Sequence, residues 1–238
     1  MFIERAMFEF FGSIIIRIET QTDCGTGFVY RNRDGVALIA TAAHVINRAD
    51  IDGTPITLSN DRHLPPISLL RSERTILKNY STTTGDSAII SIKPQILADF
   101  PKNDLPVLGW NQIIPTGDRI GWVGFPVTHF NTLCFFTGHI SARPVSSRPA
   151  YLVDGSGVCG VSGGPAFRMD YRQVETGSVY IIGIISQFHP FQTPRTPGDK
   201  RQDSYPGLMQ VESFDQLSGL VAEIDRLNGT PPQRTFFG

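Results

Sequence analysis

Ser162 stands among three glycines in Gly160-Val161-Ser162-Gly163-Gly164-Pro165. Glycine tolerates φ > 0, so such a turn can present a serine hydroxyl and gather backbone N–H groups at one point, where an oxyanion would sit beside a nucleophile. Upstream, Thr41-Ala42-Ala43-His44 follows the apolar run Val36-Ala37-Leu38-Ile39-Ala40, which reads as a buried strand ending in a histidine. Asp86 opens a second buried run, Gly85-Asp86-Ser87-Ala88-Ile89-Ile90-Ser91-Ile92. A serine hydroxyl is a poor nucleophile until a base within reach takes its proton. Imidazole titrates near the working pH and suits that task. A carboxylate that accepts the other ring N–H fixes the tautomer and stabilises the imidazolium. Taken singly, each residue has a plainer reading: Asp86 as a turn residue, His44 as a packed histidine, Ser162 as part of a glycine-rich turn.

The set resembles the trypsin-like, chymotrypsin-fold serine peptidases, in particular the bacterial Deg/Htr proteases. The residues that carry the resemblance are Gly25-Thr26-Gly27-Phe28, the TAAH ending in His44, the GDSAIISI that begins with Gly85, Gly124-Phe125-Pro126 and the GVSGGPAF around Ser162. They follow the family's order of histidine, aspartate and serine. The resemblance implies His44 as general base, Asp86 as its partner, Ser162 as nucleophile and the N–H groups of Gly160 and Ser162 as an oxyanion hole. It also implies acyl-enzyme chemistry without a cofactor. His63, His129, His139 and His189 match no motif and read as surface or packing residues.

A chain of 238 residues that is 40% hydrophobic can bury a sizeable core in one large domain or two small barrels. Charged residues make up 18%, below the usual quarter or so, which favours buried strands over long solvated helices. A net charge of −1 argues against a nucleic-acid partner. The start of the sequence carries acidic residues where a secretory signal needs a basic and then an apolar stretch. No run reaches the roughly 20 apolar residues of a membrane span. Cys24, Cys134 and Cys159 are odd in number and widely spaced, which predicts reduced packing thiols, no metal and a cytoplasmic location. In secreted relatives a disulfide brackets the histidine; here Cys24 holds one of the two positions but Val45 the other. Val161 occupies the place where those relatives carry the aspartate that pairs with a freed N-terminus, so activation of that kind is not expected.

The elements that must position these residues follow from turn chemistry and period. Short apolar segments alternate with Gly, Pro, Asn and Asp clusters at Ser13-Ile18, Gly27-Arg31, Val36-Ala40, Ile56-Leu58, Ser87-Ile92, Arg119-Gly124, Leu133-Ser141, Tyr151-Val153, Pro165-Met169 and Val179-Gln187. This pattern reads as an all-β barrel or sandwich, and the resemblance implies two six-stranded antiparallel barrels, about 1–105 and about 106–210, with a crossover near Pro101–Pro106 and a single peptidase domain overall. Ser213 followed by Gln216 reads as a capping box, and Phe214, Leu217, Leu220, Val221, Ile224 and Leu227 recur at helical spacing. A C-terminal helix at about 213–228 is expected, and the resemblance implies that it packs on the second barrel. The proline-rich stretch from His189 to Pro206 has no period and reads as a loop, a lid or a surface insertion.

For specificity, the resemblance puts Ser156 at the base of the pocket for the side chain preceding the cut, with Asp154 as an acidic neighbour if the loop were shifted. Ser186 and Phe188 fall on the wall strand, where the backbone can pair with a substrate strand. A neutral Ser156 and a bulky Phe188 predict cleavage after small or medium apolar residues. The partners expected are a protein or peptide substrate and an activating protein. Two rival readings are a catalytically silent peptide-binding module and an esterase, although a GxSxG strand-to-helix elbow is absent.

Overall fold

The computed structural model describes residues 9–33, 35–81, 85–102, 105, 107, 114–129, 131–143, 149–155, 157–170, 178–192 and 204–228. Among these residues seven strands precede residue 105: β1 (Ile15–Glu19), β2 (Cys24–Arg33), β3 (Val36–Thr41), β4 (Ile56–Asn60), β5 (Leu64–Leu69), β6 (Arg74–Ser81) and β7 (Gly85–Ile92). Between β3 and β4 lies the helix α1 (Ala43–Asp52). Six strands follow: β8 (Arg119–Gly124), β9 (Cys134–Ala142), β10 (Ala150–Asp154), β11 (Pro165–Asp170), β12 (Ser178–Gln192) and β13 (Ser204–Ser213). The helix α2 (Phe214–Leu227) comes last.

The second set closes into the expected six-stranded barrel, in the order β10-β13-β12-β11-β8-β9. The first set departs from expectation. It is a seven-stranded open sheet, β5-β4-β1-β2-β3-β7-β6, rather than a closed six-stranded barrel. Its outer strands explain why the edges stay apart. Pro65 and Pro66 in β5 have no N–H to donate, so β5 is an edge strand bonded only to β4. At the other edge β6 is half exposed and bonds only to β7. Those two strands carry broken, partly polar patterns, which is why sequence reading passed over them.

The central strands read as unbroken apolar runs because both faces are covered. Every residue of β3 is buried, and so are seven of the eight in β7. Val29, Ile39 and Ile90 share one face and Phe28, Ala40 and Ile89 the other, and all six are buried in the same core cluster. Helices add to the cover: α1 lies against β6 and β7, and α2 lies against β7 and β6 as well as β12 and β13. Helix α2 thus packs on the second barrel, as expected, and on the first sheet as well. Phe214, Leu217, Val221 and Ile224 join the same core cluster as the first sheet, while Trp122, Tyr151, Ile182 and Met209 fill the second barrel separately.

The cap of α2 also differs in detail. Ser213 is the N-cap and its hydroxyl accepts from the Asp215 N–H at 3.4 Å. The reciprocal arm of a capping box has no vacant donor, because the Ser213 N–H already bonds the Pro149 carbonyl at 3.1 Å. Gln216 instead lies against Gly85. Loss of one cap oxygen costs about 1 kcal/mol. Ser213→Ala is therefore expected to lower the thermal midpoint by about 2–4 °C; an unchanged midpoint would show that the cap contributes nothing.

The stretch expected to be a loop from 189 onward is partly strand. Residues 189–192 extend β12 and 204–206 begin β13, with Phe191 opposite Tyr205 and Gln192 opposite Ser204. Residues 193–203, and much of the Pro101–Pro106 crossover, lie outside the described residues. The chain leaves the first sheet with the Leu105 N–H on the Tyr30 carbonyl and meets β12 through a bridge from Val107 to Ile181. Among the described residues, no helix is long and apolar enough to cross a membrane.

Candidate active site

His44 lies in the first turn of α1, not at the end of a strand; β3 stops at Thr41 and Ala42 is the N-cap. Sequence reading missed this helix, although Val45, Ile46 and Ala49 recur on one face and Gly53 closes it at φ 68°. Ala42 supplies no side-chain cap, so the first-turn N–H groups need another acceptor. Asp86 supplies it. Its Oδ1 accepts the His44 backbone N–H at 2.9 Å, and its Oδ2 lies 2.6 Å from His44 Nδ1. The carboxylate is buried, with 3% of its side chain exposed, whereas His44 is 34% exposed. A helix N-terminus favours a negative charge at this point. With Nδ1–H donated to Asp86, the neutral ring carries a bare, accepting Nε2.

Ser162 sits between β10 and β11 on the turn that sequence reading singled out, and it is half-buried. Close packing of glycines brings this turn to α1. A side chain at Gly25 would meet Val45 at 2.6 Å and the Ser162 carbonyl oxygen at 3.0 Å, so only the width of a glycine separates Ser162 from the residue after His44. A side chain at Gly163 would come within 2.8 Å of the Ala42 nitrogen and 2.1 Å of the Thr26 carbonyl oxygen, and its φ is +86°. Gly160 has φ +91°. These two positions require glycine on both steric and conformational grounds.

The turn's own hydrogen bonds show which donors remain. The Val161 N–H bonds Val158 at 3.2 Å, the Gly163 N–H bonds Ile185 at 2.7 Å and the Gly164 N–H bonds Val161 at 3.0 Å. Among the described residues, the N–H groups of Gly160 and Ser162 have no backbone acceptor. Two unengaged donors beside a serine hydroxyl are the arrangement that can hold a developing oxyanion.

Of the specificity residues, Ser186 is buried on β12, and its hydroxyl donates to the Glu212 carboxylate at 3.1 Å. Its side chain is therefore engaged inside the barrel. Phe188 lies on β12 opposite Met209. Ser156 lies outside the described residues. From Gln187 to Gln192 β12 pairs with β13, and among the described residues no strand pairs with its other edge, whose pairing with β11 ends at Ile184.

The three cysteines are free. Burial, then the charges of Glu19 and Asp23 and finally Cys159, push the Cys24 thiol above its ordinary pKa, which suits a packing thiol. Among the described residues no group of three His, Cys, Asp or Glu side chains could hold a metal ion.

Comparison with known proteins bears on the family and the fold. The family model for a trypsin-like peptidase domain matches residues 25–174. Among solved structures, Rv3671c from M. tuberculosis H37Rv, in the inactive form of a serine-to-alanine mutant, is 18% identical with a TM-score of 0.59, covering 95% of this chain and 92% of that one. A second structure of the inactive form of the Rv3671c protease is 16% identical, with a TM-score of 0.59 and 94% of each chain covered. Deg5 is 17% identical, with a TM-score of 0.59 and 90% of each chain covered. At these identities the structural likeness concerns the fold. No curated protein sequence matches significantly.

Proposed function

The chain belongs to the trypsin-like peptidase family, and from that membership we propose that it is a serine endopeptidase using Ser162, His44 and Asp86. The observation that carries the reading is the double engagement of Asp86 by the ring and the backbone of His44. That pairing orients the imidazole with Nε2 as the base for the Ser162 hydroxyl. Ser162 Oγ then attacks the scissile carbonyl carbon, and its proton passes to His44. The carbonyl oxygen, now an oxyanion, is held by the N–H groups of Gly160 and Ser162. Collapse breaks the C–N bond, and His44 returns the proton to the leaving amine. Water, deprotonated by His44, attacks the acyl carbon; the bond to Ser162 Oγ breaks and His44 returns the proton to that oxygen.

The open edge of β12 supports binding of the substrate as an added strand. Cleavage after small or medium apolar residues is proposed on the neutral Ser156 and on Phe188. A peptide library with dominant cleavage after Arg or Glu would sink that preference. The free cysteines support a cytoplasmic location, which fractionation of the native cell tests. Without the aspartate that would receive a freed N-terminus, control falls to loops or to a protein partner.

The direct test is labelling with a fluorophosphonate, followed by mass spectrometry of the modified peptide. A phosphonyl group on Ser162 is expected, together with hydrolysis of library peptides. A folded protein that binds peptides but neither labels nor cuts would be the silent binding module instead. Labelling with turnover of small esters alone would make it an esterase.

A further inference from the structure

We propose that Thr26 is a positioning residue for the oxyanion site, holding the Ser162 turn from the opposite sheet. The inference rests on the serine-peptidase reading for what the turn does, but its geometry is independent of that reading. Thr26 belongs to β2 of the first sheet and is fully buried. Its N–H donates to the Ser162 carbonyl at 2.8 Å. Its hydroxyl donates to the Gly160 carbonyl at 2.7 Å and accepts from the Phe125 N–H at 2.9 Å. Its own carbonyl accepts from the Thr41 hydroxyl at 2.8 Å. One side chain and its peptide groups thus bind both residues whose N–H groups face the developing charge.

What this does follows from peptide planarity. The Gly160 N–H shares a plane with the Cys159 carbonyl, which the Val127 N–H holds at 2.8 Å. The next plane, which ends in Val161, carries the Gly160 carbonyl and turns about the most permissive residue in the chain. The Thr26 hydroxyl holds its carbonyl end at 2.7 Å, and the longer bond from the Val161 N–H to Val158, at 3.2 Å, holds the other. A hydroxyl has one proton to give, and here it is committed to Gly160 because the Phe125 N–H occupies the oxygen as a donor. The slot is cut to fit: a side chain at Gly124 would come within 2.8 Å of Thr26 Oγ1, and one at Gly163 within 2.1 Å of the Thr26 oxygen. The Gly25-Thr26-Gly27-Phe28 segment carried the family resemblance in the sequence, yet no role in the chemistry could be read from it there.

The test uses Thr26→Val, which exchanges the hydroxyl for a methyl, beside Thr26→Ser, which retains it. Thr26→Ala removes the same hydroxyl without added bulk should the valine variant fail to fold. A misplacement of about 1 Å costs roughly 10²-fold in rate, so Thr26→Val is expected to lose about that in kcat with KM within a few-fold. Affinity for a peptide boronate, which needs the oxyanion donors, should fall in parallel, and Thr26→Ser should recover most of both. Hydrogen exchange of residues 158–164 should quicken in Thr26→Val and not in Thr26→Ser, whether or not the protein turns over substrate. Unchanged kcat and exchange in a folded hydroxyl-less variant would overturn the proposal. So would a loss that Thr26→Ser shares, or one that only tracks the unfolded fraction. The exchange difference between the variants, with no labelling of Ser162 in the wild type, would overturn the serine-peptidase reading and leave the clamp standing as structure, without a role in catalysis.

Discussion

Ser162→Ala is expected to lower turnover of a library-selected peptide by about 10⁶-fold, the loss typical of removing the nucleophile of such a site. The fold should survive, because residue 162 helps hold the turn through its main-chain carbonyl, which accepts from the Thr26 N–H and which alanine keeps. Asp86→Asn is expected to cost about 10⁴-fold, for a reason visible in the hydrogen bonds. Asp86 accepts twice from His44, once at the backbone N–H and once at Nδ1. An asparagine has one accepting oxygen and one donating NH₂ group. If the oxygen takes the backbone N–H, the NH₂ faces Nδ1 and demands its lone pair. The ring proton then moves to Nε2, and the base is lost. Kinetics on the purified variants, with circular dichroism to verify folding, decide the matter. More than a hundredth of wild-type activity in Ser162→Ala would remove Ser162 as nucleophile. Activity within tenfold of wild type in Asp86→Asn would leave the serine in place but deny the aspartate its role.

The chemistry was more legible in the sequence than the architecture around it. Residues 44, 86 and 162 are named by short motifs in which the residue type is the signal, and Gly160 and Gly163 are needed for φ values that other residues rarely adopt. The second barrel was legible because most of its strands are apolar runs bounded by turns. The half-exposed edges β5 and β6 were not, since a strand with one partner needs only part of an apolar pattern. The helix that carries His44 was obscured because its first residues continue the apolar run of β3. The docking of α2 on the first sheet was hidden for a different reason. Helical spacing shows which face is buried, but the partner depends on a contact 194 residues away, between Arg31 and Asp225.

That contact carries the second large prediction. Arg31 Nη1 lies 2.7 Å from Asp225 Oδ1, and the two side chains are only 6% and 5% exposed. Removing one member of such a pair takes a close counter-charge from the buried member that stays, at a cost of up to about 3–5 kcal/mol. Asp225→Ala is therefore expected to shift the thermal midpoint down by roughly 6–20 °C for a chain of this size. Replacing both members by apolar residues of similar volume, Arg31→Met with Asp225→Leu, removes both desolvation costs together and should restore most of the loss. The consequence reaches the active site through α2. Gln216 on that helix lies against Gly85, where a side chain would meet its Oε1 at 1.7 Å, and Gly85 immediately precedes Asp86. Helix α2 thus forms part of the wall behind the aspartate, and loosening it should lower kcat at temperatures well below unfolding. Hydrogen exchange over 214–227 should rise in Asp225→Ala and return in the double variant. A single variant as stable as wild type would show that the pair is not a lock. A destabilised variant with unaltered kcat in its folded fraction would show that the helix supports the fold and not the aspartate.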